Sequence, residues 1–484
     1  MSPVLLFSFV IIYFLVLLLV AYITSRNANN ESFFIGNRNS NWMLVAFGMI
    51  GTSLSGVTFV SVPGTVAVNA FTYMQVVFGY FIGYFVVAYM LLPLYYRLNL
   101  TSIYNYLHQR FGVITYKTGA LFFIISRTVG ATARLYLVIN VMQLFILDNL
   151  GIPFAVTAIV ILLMILLYTF EGGVKTIVYT DTLQTSFMLL GLVVCVFYIM
   201  NHLGFSFSGS MSAISAKGFT RMFDTDINSK GFFLKQIIGG AFITIAMTGL
   251  DQEMMQKNIS VKNLKDSQKN MLTFSTVMVL VNFLFLLLGG LLYLFAAQNN
   301  IPQTGDDLFP TVALNNLPPA IGIIFIIALI SALFPSADGA LTALTSSFCI
   351  DILGIRRNAG LNDQQQKKIR RIVHLSFTVI FLLCILVFKW INNKSIIGII
   401  LDLAGYTYGP LLGLFAFGML SKRKFPDTLL VTVICLLSPV VCYLLSKSSA
   451  ALFGGYQIGI ELLVINGLFT YLGLLVISKK ELTT

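Results

Sequence analysis

About every thirty-five residues this sequence returns to a mostly apolar run of about twenty or more, and that rhythm limits the fold more than any motif does. A hydrocarbon core ~30 Å thick is crossed by about 20 apolar residues in a helix rising ~1.5 Å each. Thirteen such runs stand near 2 to 24, 42 to 66, 70 to 96, 118 to 147, 152 to 170, 176 to 200, 233 to 256, 271 to 297, 319 to 350, 372 to 390, 395 to 420, 426 to 446 and 456 to 477. Strands of a transmembrane barrel would alternate in segments of about ten, so a barrel is excluded. With 57% hydrophobic and 10% charged residues, the chain reads as an all-α polytopic membrane protein. The first run has no basic residue before it and is longer than a signal-peptide core, so it reads as a retained span.

Charge sets the expected orientation. With the N-terminus outside, 21 of the 30 Lys and Arg fall on inward breaks, 7 on outward breaks, and 2 (Arg127 and Arg134) within a span. The richest inward segments are 257–269 and 356–371. The reading is a multi-pass protein of the plasma membrane, a bacterial inner membrane in the expected setting, with the C-terminus cytoplasmic. The net charge of +12 follows from these loops and calls for no nucleic acid. No required protein partner is evident beside the lipid bilayer.

Five cysteines lie in apolar runs without a CxxC pair or nearby histidine, which suggests neither a disulfide framework nor zinc. No H-E-x-x-H, G-x-S-x-G or Walker sequence occurs, so an enzyme is not expected. No soluble domain interrupts the spans, and residues 1–484 read as one membrane domain.

Two spans look interrupted. The second holds "GMIGTSLSGVTFVSVPG" (48–64), crowded with small and hydroxyl residues, and the seventh holds "IIGGAFITIAMTGLDQEM" (237–254). Gly and Ser also serve close helix packing. A break at mid-membrane survives only where the freed backbone faces protein or a wet cavity, and in transporters such breaks hold ions and substrate. The two spans are five apart, an odd number, as in two inverted repeats of five helices (about 42–200 and 233–420) flanked by helices 2–24, 426–446 and 456–477.

Ionisable groups at bilayer depth cost ~2.5–3.5 kcal/mol on insertion scales, so each needs a partner, a cavity or an interface. Asp181 shares a helical face with Gln184. In "ALISALFPSADGALTALTSS" of the ninth span, Ser331, Ala332, Pro335, Ser336 and Gly339 form one stripe with Asp338 beside it. Pro335 frees the carbonyl of Ser331, leaving hard oxygens that suit an alkali or alkaline-earth cation. Arg134 either pairs with an internal acid or meets an anionic solute. Asp402, with Tyr406 and Tyr408, adds a polar face read as structural.

Taken together, "GGVKTIVYTDTLQ" (172–184), "LTSIYNYLHQRFG" (100–112), "ARLYLV" (133–138), "DQEMMQKNISVKNLKDSQKNM" (251–271) and "SALFPSADGALTALTSSFCIDI" (331–352) resemble the sodium/solute symporter family over nearly the whole chain. The resemblance implies a leucine-transporter-like fold with two broken helices and a sodium-coupled symporter, the sodium ion being co-transported with a small polar solute such as a sugar, sialic acid, carboxylate or amino acid. It implies a sodium site at Gly51, Leu54, Ala332 and Ser336, where Pro335 replaces a usual second hydroxyl and the Ser331 carbonyl or a water substitutes. It places Asp181 near that site, with Asp338 as a further oxygen for a second sodium, and Asp338 and Gly339 at the matching hydroxyl positions. For the solute it points to Ser53, Ser55, Thr58, Tyr73, Gln75, Asp251, Gln252 and Tyr406. The run "GTSLSGVTFVSVP" is similar to sialic-acid symporters, whose carboxylate-binding arginine aligns with Gly130, one turn before Arg134. The rivals are a proton-coupled carrier of the same fold using Asp181 or Asp338, a membrane-embedded enzyme, and a channel.

Overall fold

The structure is a computed structural model that describes residues 3–26, 29–170, 172–358, 360–391 and 405–479. Asp402 lies outside the described residues. Among the described residues eight helices are long and apolar enough to cross a bilayer: α1 (Val4–Thr24), α4 (Tyr73–Arg97), α5 (Val113–Leu150), α7 (Gly173–His202), α10 (Leu264–Gln298), α11 (Pro319–Ile352), α12 (Asp363–Ile391) and α14 (Leu429–Leu452). Two bent pairs, α2 with α3 (Trp42–Ser53 and Gly56–Gly64) and α8 with α9 (Phe233–Gly249 and Gln252–Ile259), supply two more crossings. Shorter apolar helices α6 (Phe154–Thr169), α13 (Gly409–Leu420) and α15 (Leu462–Ile477) stand where the remaining runs of the sequence fall. The fold is all-helical and leucine-transporter-like, as expected.

Both breaks fall where small and polar residues were concentrated. The first pair bends by 53° at Leu54 and Ser55, and the second by 64° at Leu250 and Asp251. In the second break Asp251 acts as the N-cap of α9, its Oδ1 accepting from the Glu253 and Met254 amides at 2.9 and 3.2 Å. The carbonyls freed at Gly249 and Leu250 accept from the hydroxyls of Tyr95 and Tyr104, at 2.7 and 2.8 Å. That break is closed by protein groups, as the absence of water at this depth demands.

α11 is buried along its length and packs against α7, α5, α2 and α1. Where α4 meets α8 the backbones touch. A Cβ at Gly79 would lie 2.2 Å from the Ile237 carbonyl oxygen, and one at Gly240 would lie 2.5 Å from that of Val76. Small residues are what permit so close an approach. Gly79→Leu is therefore expected to separate the helices and destabilise the protein by about 1–3 kcal/mol, read as a lower unfolding temperature in detergent.

Candidate functional site

A cavity with an empty volume of about 850 Å3, counting the part open to solvent, lies against the first break. Ser53, Ser55 and Thr58 reach it from the broken helix and Tyr73 from α4, so the structure brings these four expected residues together. Tyr80 and Tyr84 join Tyr73 on its wall. They follow it by seven and eleven residues, a helical stripe that the sequence carried unremarked. Thr244 and Thr248 on α8 repeat at i+4, and Asn282 stands within an apolar stretch of α10.

Other expected solute residues are engaged elsewhere and do not line this cavity. Gln75 accepts from the Asp224 amide at 3.0 Å and donates to the Thr72 and Gly231 carbonyls, which fastens a connecting loop. Asp251, besides capping α9, accepts from the Tyr408 hydroxyl at 2.8 Å. Tyr406 packs against Tyr443. Gln252 donates to the Thr101 carbonyl at 3.1 Å and accepts from the Ile103 amide at 2.9 Å. The same loop is held from α11, because Asp351 accepts from Ser102 at 2.8 Å.

Two arginines, two turns apart on α5, differ in their company. Arg127 pairs with Glu253 and lies 3.8 Å from Asp251, with only 4% of its side chain exposed. Arg134 lines the cavity, half-buried, with no hydrogen bond or ion pair among the described residues. Arg127, not Arg134, is thus the internal partner of an acid. Spacing alone did not distinguish them, since both lie on the same face of one helix.

Several of the residues expected to hold a cation lie where α2, α7 and α11 meet. The Gly51 backbone meets α7 and α11 together: a Cβ there would lie 2.2 Å from the Thr185 hydroxyl and 3.5 Å from Pro335. Among the described residues no side chain donates to the carbonyls of Gly51 or Leu54, unlike those of the second break. Among the described residues the buried Thr185 hydroxyl has no hydrogen-bond partner. Ala332 and Ser336 are buried on α11, with the Ser336 hydroxyl donating to the Leu333 carbonyl at 3.0 Å. The Ser331 hydroxyl donates to Tyr13 of α1 at 2.7 Å.

Asp181 is fully buried and has an unforeseen neighbour. The Lys257 ammonium donates to its Oδ2 at 2.6 Å and to Thr52 at 2.6 Å, with Glu253 at 3.8 Å. Segment 257–269 had read as a solvated loop, but its first five residues are buried and Lys257 ends in the protein interior. Asp338 turns to α6, its Oδ2 accepting from the Tyr168 hydroxyl at 2.7 Å, and its Oδ1 from the Gly339 amide at 2.5 Å.

The profile of the Sodium:solute symporter family matches residues 33–428. The chain is 24% identical over 440 residues to the sodium/sialic acid symporter of Proteus mirabilis, covering 86% of this chain and 85% of that one. It is 22% identical to the sodium/sialic acid symporter of Aliivibrio fischeri, over 93% of this chain and 89% of that one. A solved structure of a sodium-coupled sialic acid symporter, substrate-bound and outward-open, superposes with a TM-score of 0.84 at 20% identity, covering 98% of this chain and 99% of that chain. A nucleobase-cation-symport-1 transporter superposes with a TM-score of 0.51 at 13% identity, covering 93% of each chain.

Proposed function

Since the chain belongs to the sodium:solute symporter family and is a sodium-coupled symporter, we propose that its solute is a small organic anion whose carboxylate is held by Arg134. The observation that carries this reading is the contrast between the arginines of α5: both line the cavity, but Arg127 is paired with its acids, whereas Arg134 has no ion pair among the described residues. A cation withdrawn from water without a partner is costly, and guanidinium pairs best with a planar carboxylate. Ser53, Ser55, Thr58 and Tyr73 would bind the polar remainder of the solute, a role that hydroxyls fill as both donors and acceptors. The sodium/sialic acid symporters among the relatives carry one such carboxylate.

Sodium would bind through the Gly51 and Leu54 carbonyls, the Ala332 carbonyl and the Ser336 hydroxyl, with Thr185 in the place that Pro335 leaves without a hydroxyl. Leu54 also lines the cavity, so one stretch of unwound backbone serves ion and solute together. Ion binding would order the wall that the solute needs, which is positive coupling between the two sites. In this reading the protein spans a cell membrane with its N-terminus outside, and works as a carrier rather than as an enzyme or channel.

The test is thermal stabilisation of purified protein by a panel of small carboxylates and their uncharged amides, with and without sodium. Stabilisation by carboxylates alone, and only with sodium, is expected; equal stabilisation by the amides would refute the anionic solute. Gly51→Ala, which pushes a methyl into the Thr185 hydroxyl, and Ser336→Ala are each expected to raise the half-saturating sodium concentration about tenfold, or ~1.4 kcal/mol. A sodium titration of unfolding temperature measures both.

A further inference from the structure

Resemblance placed a second sodium beside Asp181, yet the residues found there do not fit one. The Lys257 ammonium already lies 2.6 Å from the Asp181 carboxylate and 2.6 Å from the Thr52 hydroxyl, the kind of hard oxygens a sodium would take. Lys257 is 3% exposed, on the short helix α9 that follows the second break. Of the two α11 positions from which hydroxyls would complete a second site, neither faces it with one. Gly339 has no side chain, and Asp338 is committed to Tyr168 and to the Gly339 amide.

Gly339 has a steric reason to be bare. A Cβ there would lie 2.3 Å from Glu253 Oε1 and 3.1 Å from the Lys257 nitrogen. The loss of a hydroxyl and the entry of the lysine are therefore one structural event: the space a serine would fill is the space the Glu253 and Lys257 head groups use. The charged groups facing Lys257 are Asp181 on α7, Glu253 on its own helix and Asp338 on α11. A second free cation in contact with Asp181 would sit against the ammonium and be repelled by it.

We infer that Lys257 is a tethered cation that takes the place of a second sodium at Asp181, so that the carrier binds a single exchangeable sodium. Because the ammonium is covalently held, it joins the first broken helix (Thr52), α7 (Asp181) and α9 without ever leaving. The inference concerns ion number alone and stands whatever the solute proves to be.

Equilibrium binding of radioactive sodium to the purified full-length protein tests it without any solute. The wild type is expected to saturate at one sodium per chain, and Lys257→Gln, which removes the charge but retains a polar side chain, at two. The double variant Asp181→Asn with Lys257→Gln removes the ion pair as a unit and is expected to return to one; it serves also where the single variant fails to fold, since it does not leave the Asp181 carboxylate without its counter-charge. A wild type that binds two, a Lys257→Gln protein that still binds one, or a double variant that binds none would each overturn the inference, the last because Asp181 would then be a ligand of the only sodium.

Discussion

Arg134→Gln is expected to abolish solute binding while leaving the protein folded and still stabilised by sodium. Truncating one member of a buried charge pair costs about 2–5 kcal/mol, roughly a thirtyfold to several-thousandfold loss of affinity. The side chain has no hydrogen-bond or ion-pair partner among the described residues, so its removal orphans no protein group. Stability without solute should therefore stay near that of the wild type. Transport into proteoliposomes would fall in proportion to affinity at low solute concentration. A variant that retained carboxylate-dependent stabilisation within a few-fold of wild type would show that the anion is held elsewhere.

Arg127→Met is expected to behave in the opposite way, losing stability before any ligand is added. It leaves Glu253 buried, 1% exposed, with its charge no longer met by the guanidinium, and breaking a buried pair from one side costs about 3–5 kcal/mol. The damage spreads through a connected network, because Glu253 neighbours Lys257 and Asp251 caps the helix that carries both. Replacing both partners, Arg127→Met with Glu253→Met, is expected to restore part of the loss, since it removes the orphaned Glu253 charge while Asp251, 3.8 Å from the guanidinium, still loses its counter-charge. Unfolding temperatures of the two single variants and the double variant form the cycle that measures the coupling.

The architecture was legible from the sequence because lipid imposes a length rule that few residues can evade. Both breaks were legible as well, since Gly51, Ser53, Ser55 and Gly56 on one span, and Gly249, Asp251 and Gln252 on the other, make no sense in an unbroken lipid-facing helix. The site was legible only in part, and the misses share a cause. Lys257 stands in "QKNISVKNLKDSQKN", where nothing local separates the one lysine that turns inward from those that face water. Its burial is decided by Asp181, 76 positions away, and by the missing side chain at Gly339. Gln252 and Asp251 signalled a break but not its purpose: their polar groups close the break and brace a loop, and they do not line the cavity. Thr185 is an ordinary helical threonine in sequence, and only the approach of Gly51 and Pro335 makes its unpaired hydroxyl informative.

The short loop 101–104 ties two helices to one another. Gln252 grips it through the Thr101 carbonyl and the Ile103 amide, Asp351 through Ser102, and Tyr104 reaches back to the Leu250 carbonyl. Each such bond is worth about 0.5–1.5 kcal/mol net, so the four together fasten the loop by roughly 2–6 kcal/mol. Both α9 and α11 are fastened to the same four residues, so neither can swing away while the other stays latched. Any rearrangement that parts α9 from α11 must first undo these ties.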